Sequence, residues 1–335
     1  MNLRLPKPLR SKGLRVGLLL AALLLLGGCA GEAEEQPQQT GPGLLELMQE
    51  DLPRFSESAP GETPLVSSYY RECYGSVEGA THQAGYVEAS GYRVALHHFS
   101  PAGESRGSLV AIHGYLAHTL QLSALIEEAL RRGYTVLAVE LPGHALSGGE
   151  RGGIDEFRDY GEILSVALIE AAADLPRPWH AAGHSTGAST ILIHLAEHGD
   201  PFAGVVFLAP LVKSKLYGLS RFGRFISRPF LSDVSTGYDE VLGVERMPLS
   251  WFDAQVRWNR RNDEYPVFDR PLLVLQGNDD TVVAWRRNRR YLERHFSRME
   301  YHLLEGASHV ILKEREPILE DALSRIFRFL RARES

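Results

Sequence analysis

The pentapeptide GHSTG, residues 183–187, constrains the fold of this chain more than any other stretch. It follows an apolar run that begins at residue 179 and precedes a helix-like segment. The G-x-S-x-G pattern requires a strand that enters a tight turn and then a helix, which lifts the serine hydroxyl clear of the sheet. Glycines flank the serine because side chains at those positions would clash with neighbouring backbone. The pattern therefore predicts Ser185 as a nucleophile at a strand–helix turn.

Short β-branched runs alternate with longer helix-like segments over most of the remaining chain. This alternation favours an α/β fold, in which a mostly parallel sheet carries helices on both faces. An antiparallel hairpin is predicted over residues 86–99, with its turn at Ser90 and Gly91. Further strands are predicted over residues 108–114, 134–140, 179–185, 203–210, 271–277 and 299–306.

One long interval, residues 211–269, interrupts this alternation. It contains no clear strand and is rich in aromatic residues and arginines. A gap of this length inside an α/β domain usually holds an inserted helical element. Because it lies between two predicted sheet strands, we expect it to form a lid. The alternative is a structural insertion that does not cover a functional site.

A serine hydroxyl is a weak nucleophile and needs a base, together with an acid that orients the base. In a fold with this turn, the acid and then the histidine follow the serine along the chain, each on a loop after a late strand. The segment LLVLQGNDDTVV offers Asp280, with Asp279 as the alternative, and the segment LLEGASHVI offers His309. The sequence therefore predicts a triad of Ser185, Asp280 and His309.

Two backbone amides are predicted to bind the oxyanion that such a serine would generate. The first belongs to Thr186, directly after the nucleophile, at the start of a helix whose dipole favours negative charge. The second belongs to Tyr115, which follows His113 and Gly114 where the chain leaves a strand. The Tyr115 ring could border a pocket. We expect His113 to pack and form hydrogen bonds instead of carrying a proton.

The first 28 residues have the pattern of a secretory signal peptide. Five basic side chains precede the apolar run 16–26, which is too short to span a bilayer comfortably. The segment LGGC, residues 26–29, resembles the lipobox of bacterial lipoproteins, which are cut before the cysteine and acylated on it. Cys29 is therefore the predicted lipidation site and membrane attachment. An ordinary signal peptide with an incidental cysteine is the alternative.

The residue after the cysteine indicates a destination. Ala30, where an aspartate could stand, resembles lipoproteins sent to the outer membrane, and we expect a lipid-anchored protein of the bacterial cell envelope that faces the periplasm. Residues 29–64 begin with a polar stretch rich in Glu, Gln, Gly and Pro, a composition that suits a flexible tether. The folded domain is then predicted over residues 65–335, including the insertion at about 211–269.

Net charge excludes one class of partner. The chain has 36 basic and 42 acidic side chains, and the first 28 residues contain five basic and no acidic ones, so the remainder carries a net charge of −11. Such an acidic domain is a poor candidate for binding nucleic acid, and its net charge gives no attraction to anionic lipid. Beyond Cys29 only Cys73 remains, so no disulfide within the chain is expected.

Five segments together carry a resemblance to a known family. They resemble the monoacylglycerol lipase and lysophospholipase branch of the α/β-hydrolases, a group also described as serine-aminopeptidase-like, and the likeness covers about residues 86–330. The segments are HGYLAH (113–118), VLAVELPGHALSGGERGGIDEFRDY (136–160), GHSTG (183–187), QGNDDTVV (276–283) and GASHVI (306–311).

The resemblance implies an α/β-hydrolase fold with a mostly parallel eight-stranded sheet, flanking helices and an inserted helical lid. It also implies Ser185 as nucleophile, Asp280 as acid and His309 as base, with no metal and no organic cofactor. This chain departs from the family at Thr186, where methionine is common, and at Glu140, where aspartate is frequent. These departures bear more on which substrate the protein binds than on the reaction that it catalyses.

From these features we expect a serine hydrolase that cleaves carboxylic esters of single-chain lipids, monoacylglycerols or lysophospholipids, through an acyl-enzyme. The predicted anchor, the aromatic insertion and the family resemblance favour a lipid ester as substrate. A general carboxylesterase is the alternative, and an aminopeptidase a further one that would need an acidic pocket, for which Asp253, Asp263 and Glu264 are candidates. The acyl length, head group, lid movement and oligomeric state do not follow from the sequence.

Two readings from other classes compete with this one. The segment HLAEH, residues 194–198, matches the H-x-x-E-H zinc pattern, but it lies at the polar end of the helix that begins after Ser185. A non-catalytic envelope lipoprotein could also use a hydrolase scaffold for binding. Such proteins usually lack a member of the triad, whereas all three are present in this chain.

Overall fold

Eight strands build the central sheet in the computed structural model, which describes residues 43–74, 77–213, 233–235, 244 and 246–334. The spatial order is β1-β2-β4-β3-β5-β6-β7-β8, with β1 and β2 antiparallel to their neighbours and the other pairs parallel. The strands are β1 (Thr81–Ala89), β2 (Tyr92–Ser100), β3 (Ser108–Ile112), β4 (Thr135–Val139), β5 (Trp179–His184), β6 (Gly204–Leu208), β7 (Phe268–Gly277) and β8 (Phe296–Leu304). The predicted mostly parallel eight-stranded sheet is therefore confirmed.

Helices cover both faces of this sheet. Four pack on one face: α4 (Asp159–Glu170), α5 (Thr186–Glu197), α6 (Leu249–Trp258) and α7 (Trp285–His295). Four pack on the other: α1 (Leu44–Asp51), α2 (Pro64–Tyr74), α3 (Ser123–Arg131) and α8 (Ile318–Arg331). Along β3, Val110 and Ile112 belong to the first core, whereas Leu109 and Ala111 belong to the second. This alternation explains why the central strands are apolar at every position.

The β1–β2 hairpin turns at Ser90 and Gly91, as the sequence predicts. Both residues have positive φ, 49° and 79°, which matches the twist of a two-residue hairpin connection. Strands β3, β4, β5 and β6 each end one or two residues before the predicted limit. The residues predicted as strand ends, including His113, Gly114 and Ser185, therefore lie in the loops at the carboxyl edge of the sheet.

The folded unit begins earlier than the predicted residue 65. Met48, Leu52 and Phe55 are buried, and the amide of Tyr86 in β1 donates to the carbonyl of Pro53 over 2.9 Å. The predicted tether is therefore wrong for residues 44–64, because its apolar residues recur at spacings of four and three and bury one side of the segment. Residues 1–42, including the predicted signal peptide, Cys29 and Ala30, lie outside the described residues.

The insertion is described in part. It contains α6 and a two-stranded antiparallel ribbon formed by Asp233–Ser235 and Arg246–Pro248. Trp251 and Trp258 of α6 are buried, with ring centroids 5.4 and 5.0 Å from that of Phe157. The predicted helical element in this interval is thus present. Within the described ranges, no helix is both long and apolar enough to cross a membrane.

We predict that α1 contributes to the stability of the domain. Met48→Ala should lower the free energy of unfolding by about 2–5 kcal/mol, because the Met48 side chain is fully buried and its removal leaves a cavity. Leu47→Ala on the same helix is the control and should change it by less than about 0.5 kcal/mol, since Leu47 is 40% exposed. Urea unfolding measures both, and equal small effects would contradict the packing of α1 on the domain.

Candidate active site

Ser185 occupies the strained turn between β5 and α5. Its φ and ψ are 52° and −109°, a conformation that side-chain-bearing residues rarely adopt. The surrounding backbone maintains this conformation: the Ser185 amide donates to the Leu208 carbonyl over 2.9 Å, and the Ser185 carbonyl accepts from the Leu211 amide over 3.1 Å. The strand–turn–helix context that the GHSTG motif predicts is therefore present, with the serine held from both sides.

Two glycines make this turn possible. A Cβ on Gly187 would lie 2.2 Å from the Ile112 carbonyl oxygen, and a Cβ on Gly183 would lie 2.4 Å from the Gly187 carbonyl carbon. No real Cβ approaches backbone so closely, so α5 can pack against β3 only if these positions lack side chains. The close packing fixes the start of α5, and with it the Ser185 backbone.

Asp280 and His309 form a pair at the carboxyl ends of β7 and β8. His309 Nδ1 lies 2.7 Å from Asp280 Oδ2, whereas Asp279 is exposed. Of the two acids that the sequence leaves open, the structure brings Asp280 to the histidine.

Several donors converge on the Asp280 carboxylate. Its Oδ1 accepts the amides of Val282 and Val283 over 2.8 and 3.1 Å, and its Oδ2 accepts Gln276 Nε2 over 2.9 Å. Burial raises the pKa of Asp280, but the hydrogen bond and charge of His309, with help from Gln276 and Val283, outweigh it and lower the pKa below its usual value. Asp280 is therefore ionised, which makes Nδ1 of His309 a donor and leaves Nε2 free to accept a proton.

His309 lies beside the serine turn. Its carbonyl accepts His184 Nε2 over 3.0 Å, and the two imidazole centroids are 4.9 Å apart. Burial lowers the pKa of His184 to about 3, so this neighbour is neutral. The three predicted triad residues thus gather at one edge of the sheet, at the ends of β5, β7 and β8.

The loop after β3 approaches the same turn. A Cβ on Gly114 would lie 2.7 Å from His184 Nδ1 and 3.2 Å from the Ser185 Cβ, so this loop rests directly on the serine. Among the described residues, neither the Tyr115 amide nor the Thr186 amide donates a backbone hydrogen bond. The hydrogens of both predicted oxyanion donors are therefore available, one on the residue directly after Ser185 and the other on the residue directly after Gly114.

His144, which the sequence did not single out, and the Tyr115 side chain hold this loop. His144 Nε2 accepts the Leu116 amide over 3.1 Å, at a residue whose φ is 61°. The Tyr115 hydroxyl donates to the Gly152 carbonyl over 2.9 Å, and the Tyr115 ring stacks on Trp251 at 3.8 Å. The Tyr115 ring is thus fixed between the loop after β4 and α6 of the insertion.

A buried carboxylate supports the loop from below. Glu140 is fully buried and accepts the Tyr70 hydroxyl over 3.0 Å and the Thr119 amide over 3.1 Å, while His113 Nε2 lies 3.2 Å from its other oxygen. Burial raises the pKa of Glu140, yet the His113 contact and nearby histidines bring it well below the usual range. His113 also accepts the Leu141 amide over 2.9 Å. This agrees with the packing and hydrogen-bonding role expected for His113.

The side chains of the HLAEH segment contact one another and other protein side chains. His194 and His198 stack with centroids 5.6 Å apart, and Glu197 binds Arg158 and the Tyr265 hydroxyl over 2.9 and 3.1 Å. In the part of the chain that the structure describes, no three His, Cys, Asp or Glu side chains are placed to share a metal ion.

The gathered groups match the requirements of acyl transfer. They comprise a serine on a strained turn, a histidine oriented by an ionised acid, and two free amides beside the serine. Gln276 orients the acid, and His144 holds the loop after β3. Thr186 supplies one of the two free amides.

The chain is similar in sequence to known proteins. Residues 103–237 match the family described as serine aminopeptidase, S33. A monoglyceride lipase homolog from monkeypox virus is 23% identical over 235 aligned residues, which cover 64% of this chain and 85% of the viral protein. The monoglyceride lipase of Rattus norvegicus is 22% identical over 264 residues, 72% of this chain and 87% of the rat protein.

A solved structure has the same fold. The monoacylglycerol lipase from Paleococcus ferrophilus superposes with a TM-score of 0.60 at 23% identity, over 72% of this chain and 99% of that one.

We predict that Asp280, and not Asp279, activates Ser185. Asp280→Asn should slow labelling of the serine by a fluorophosphonate about 10³–10⁴-fold, because the amide favours the wrong tautomer of His309. Asp279→Asn is the matched control and should label at the wild-type rate, since its side chain is exposed. Labelling followed by in-gel fluorescence gives both rates, and a slow Asp279→Asn variant beside a fast Asp280→Asn variant would reverse the assignment.

Proposed function

We propose that this chain, an α/β-hydrolase that resembles the monoacylglycerol lipase branch, cleaves carboxylic esters of single-chain lipids through an acyl-enzyme on Ser185. The observation that carries the proposal is the 2.7 Å pair of Asp280 and His309 at the edge of the sheet where Ser185 turns. The family match, the lipase relatives and the shared fold support a hydrolase of this type.

The first half of the reaction forms the acyl-enzyme. His309 Nε2 takes the proton from the Ser185 hydroxyl as its oxygen attacks the ester carbonyl, and Asp280 stabilises the imidazolium that results. The tetrahedral oxyanion accepts hydrogen bonds from the Tyr115 and Thr186 amides, which are in place before the reaction. His309 then gives its proton to the departing alkoxide, and the alcohol leaves.

The second half releases the acid. His309 takes a proton from water as the water oxygen attacks the acyl carbonyl, the same two amides hold the second oxyanion, and the proton returns to Ser185. Because the same groups serve both halves, loss of Ser185 stops the cycle while loss of Asp280 slows both steps.

The insertion supports a lipid as the substrate. Trp251 of α6 stacks on Tyr115, so an aromatic wall stands next to the proposed oxyanion site. An aromatic, apolar wall binds an acyl chain more favourably than it binds a polar substrate group. We assign the insertion as a lid on this ground. Of the acids considered for an aminopeptidase pocket, Asp263 already lies 3.6 Å from Arg294, which weakens that alternative.

The proposed activity predicts a defined chain-length profile. Wild-type protein should label with a fluorophosphonate and hydrolyse long-chain monoacylglycerol or lysophospholipid, and Ser185→Ala should lose both the label and at least about 10³-fold in rate. Parallel assays on acetyl, butyryl, octanoyl and long-chain esters give the profile. Hydrolysis restricted to short soluble esters would establish a general carboxylesterase, and intact folding without label or hydrolysis would favour a binding protein.

We also propose that Cys29 carries the lipid anchor and that the chain resides in the bacterial envelope, on the outer membrane and facing the periplasm. The basic segment, the apolar run and the LGGC sequence support this proposal.

A labelling experiment tests the anchor. Expressed in a bacterium, wild-type protein should incorporate an alkyne analogue of palmitate and remain with the membrane after a high-salt wash, because two or three acyl chains hold a protein stably. Cys29→Ser should lose the label, whereas Cys73→Ser should keep it. A labelled Cys29→Ser variant would place the acylation elsewhere.

A further inference from the structure

The N-terminal end of α7 carries an uncompensated positive charge on an otherwise acidic protein. Arg286, Arg287 and Arg290 are all exposed there, beside Trp285 and the 51% exposed Val282. We call these five residues the rim patch. The chain as a whole has a net charge of −6, so this local positive charge is opposite in sign to that of the chain.

The rim-patch arginines differ from the other arginines of α7 in their ion pairing. Arg289 pairs with Glu293 at 2.7 Å, and Arg294 lies 3.6 Å from Asp263. Within the described ranges, no carboxylate approaches Arg286, Arg287 or Arg290 to 4.0 Å. Their guanidinium groups therefore display their full charge to solvent, available for an anionic partner.

The rim patch lies at the same edge of the sheet as the proposed catalytic groups. The loop that connects β7 to α7 contains Asp280, so α7 starts where the acid is held. A cleft of about 570 Å³ is lined by residues 278–281 of this loop and by the three arginines. Asp279 is the exposed carboxylate in it, since Asp280 is buried against His309. Three cations thus face one exposed acid beside the site.

The apolar members of the rim patch suit a water–lipid boundary. Trp285 is half-buried, and the Arg286 guanidinium lies 3.9 Å from its ring centroid. Tryptophan and arginine both combine an apolar body with a polar or charged end, and both are favoured at membrane interfaces. Val282 adds an exposed aliphatic group on the preceding loop.

We infer that the rim patch docks the protein onto an anionic bilayer, with the arginines on lipid phosphates and the catalytic edge turned toward the lipid. The contrast between the acidic chain and the rim patch also favours one orientation, because the rim patch attracts anionic lipid whereas the net charge of the chain is negative. The binding of the rim patch to the bilayer does not depend on the proposed ester hydrolysis, whereas the catalytic role of the edge turned toward the lipid rests on it.

A vesicle sedimentation assay tests the inference without using activity. The chain from residue 29 with Cys29→Ser lacks the anchor and retains every described core residue, all of which lie within residues 43–334. It should sediment with vesicles of phosphatidylcholine and phosphatidylglycerol, release as salt rises, and remain in the supernatant with phosphatidylcholine alone. Changing Arg286, Arg287 and Arg290 together to Gln should weaken binding about 100-fold, at about five-fold for each arginine.

A matched variant removes the same net charge elsewhere. Arg131 is the last residue of α3, Arg132 follows it, and Arg328 lies on α8. Both helices pack on the opposite face of the sheet, and all three arginines are exposed. Changed together to Gln, they should leave vesicle binding within about two-fold of wild type. Equal losses in the two triple variants would overturn the inference in favour of a net-charge effect.

Three further outcomes would also overturn it. Equal binding to both kinds of vesicle would mean that apolar contact alone drives association. Saturable binding of glycerol 3-phosphate at the rim patch that displaces the vesicles would assign it to a soluble anion. No sedimentation of the Cys29→Ser chain with anionic vesicles at low salt would remove the membrane from the proposal. Circular dichroism of both triple variants establishes that they are folded.

Discussion

The contact between α5 and β3 is the constraint on which the site depends. The helix lies so close to the strand that Gly187 touches the Ile112 carbonyl, and this proximity forces Ser185 into its strained backbone conformation. Strain of this kind costs about 1–3 kcal/mol and persists only where the surroundings determine it. Here the Leu208 carbonyl and the Leu211 amide supply those surroundings from the next strand and its loop. The reactive turn is therefore a product of sheet packing and not of the pentapeptide alone.

Much of this arrangement follows from local sequence. The apolar runs mark the strands, and the serine, the acids and the histidine follow strands in the order that the turn requires. The choice between Asp279 and Asp280 does not follow, because it depends on which of two adjacent side chains turns inward. Four donors make that choice: Gln276 Nε2, the amides of Val282 and Val283, and His309 Nδ1.

The strand ends and the N-terminal segment show why other features escaped prediction. Ala209 is as apolar and buried as the strand before it, yet its φ of 43° ends the strand. That turn is set by tertiary contacts and leaves no trace in the apolar pattern. Residues 44–64 are only weakly apolar, and a polar stretch precedes them. Their burial depends on the surface offered by β1, where Gly85 lets Phe55 approach the strand.

Glu140 links the N-terminal part of the fold to the proposed active site. A carboxylate in a fully buried position needs donors, and it receives them from Tyr70 on α2 and from the Thr119 amide. Helix α2 is thereby joined to the loop that presents the Tyr115 amide, so a helix near the start of the folded domain contributes to the position of an oxyanion donor.

The early start of the fold limits how far the protein could reach from a membrane. An attachment at Cys29 would leave only residues 30–43 as the connection to α1, in place of a connection extending to residue 64. Fully extended, a connection of that length spans about 50 Å, whereas the longer one would span about 120 Å. At any instant the domain would then reach only the membrane surface within that distance of its own anchor, so it would stay close to the bilayer as the anchor diffuses.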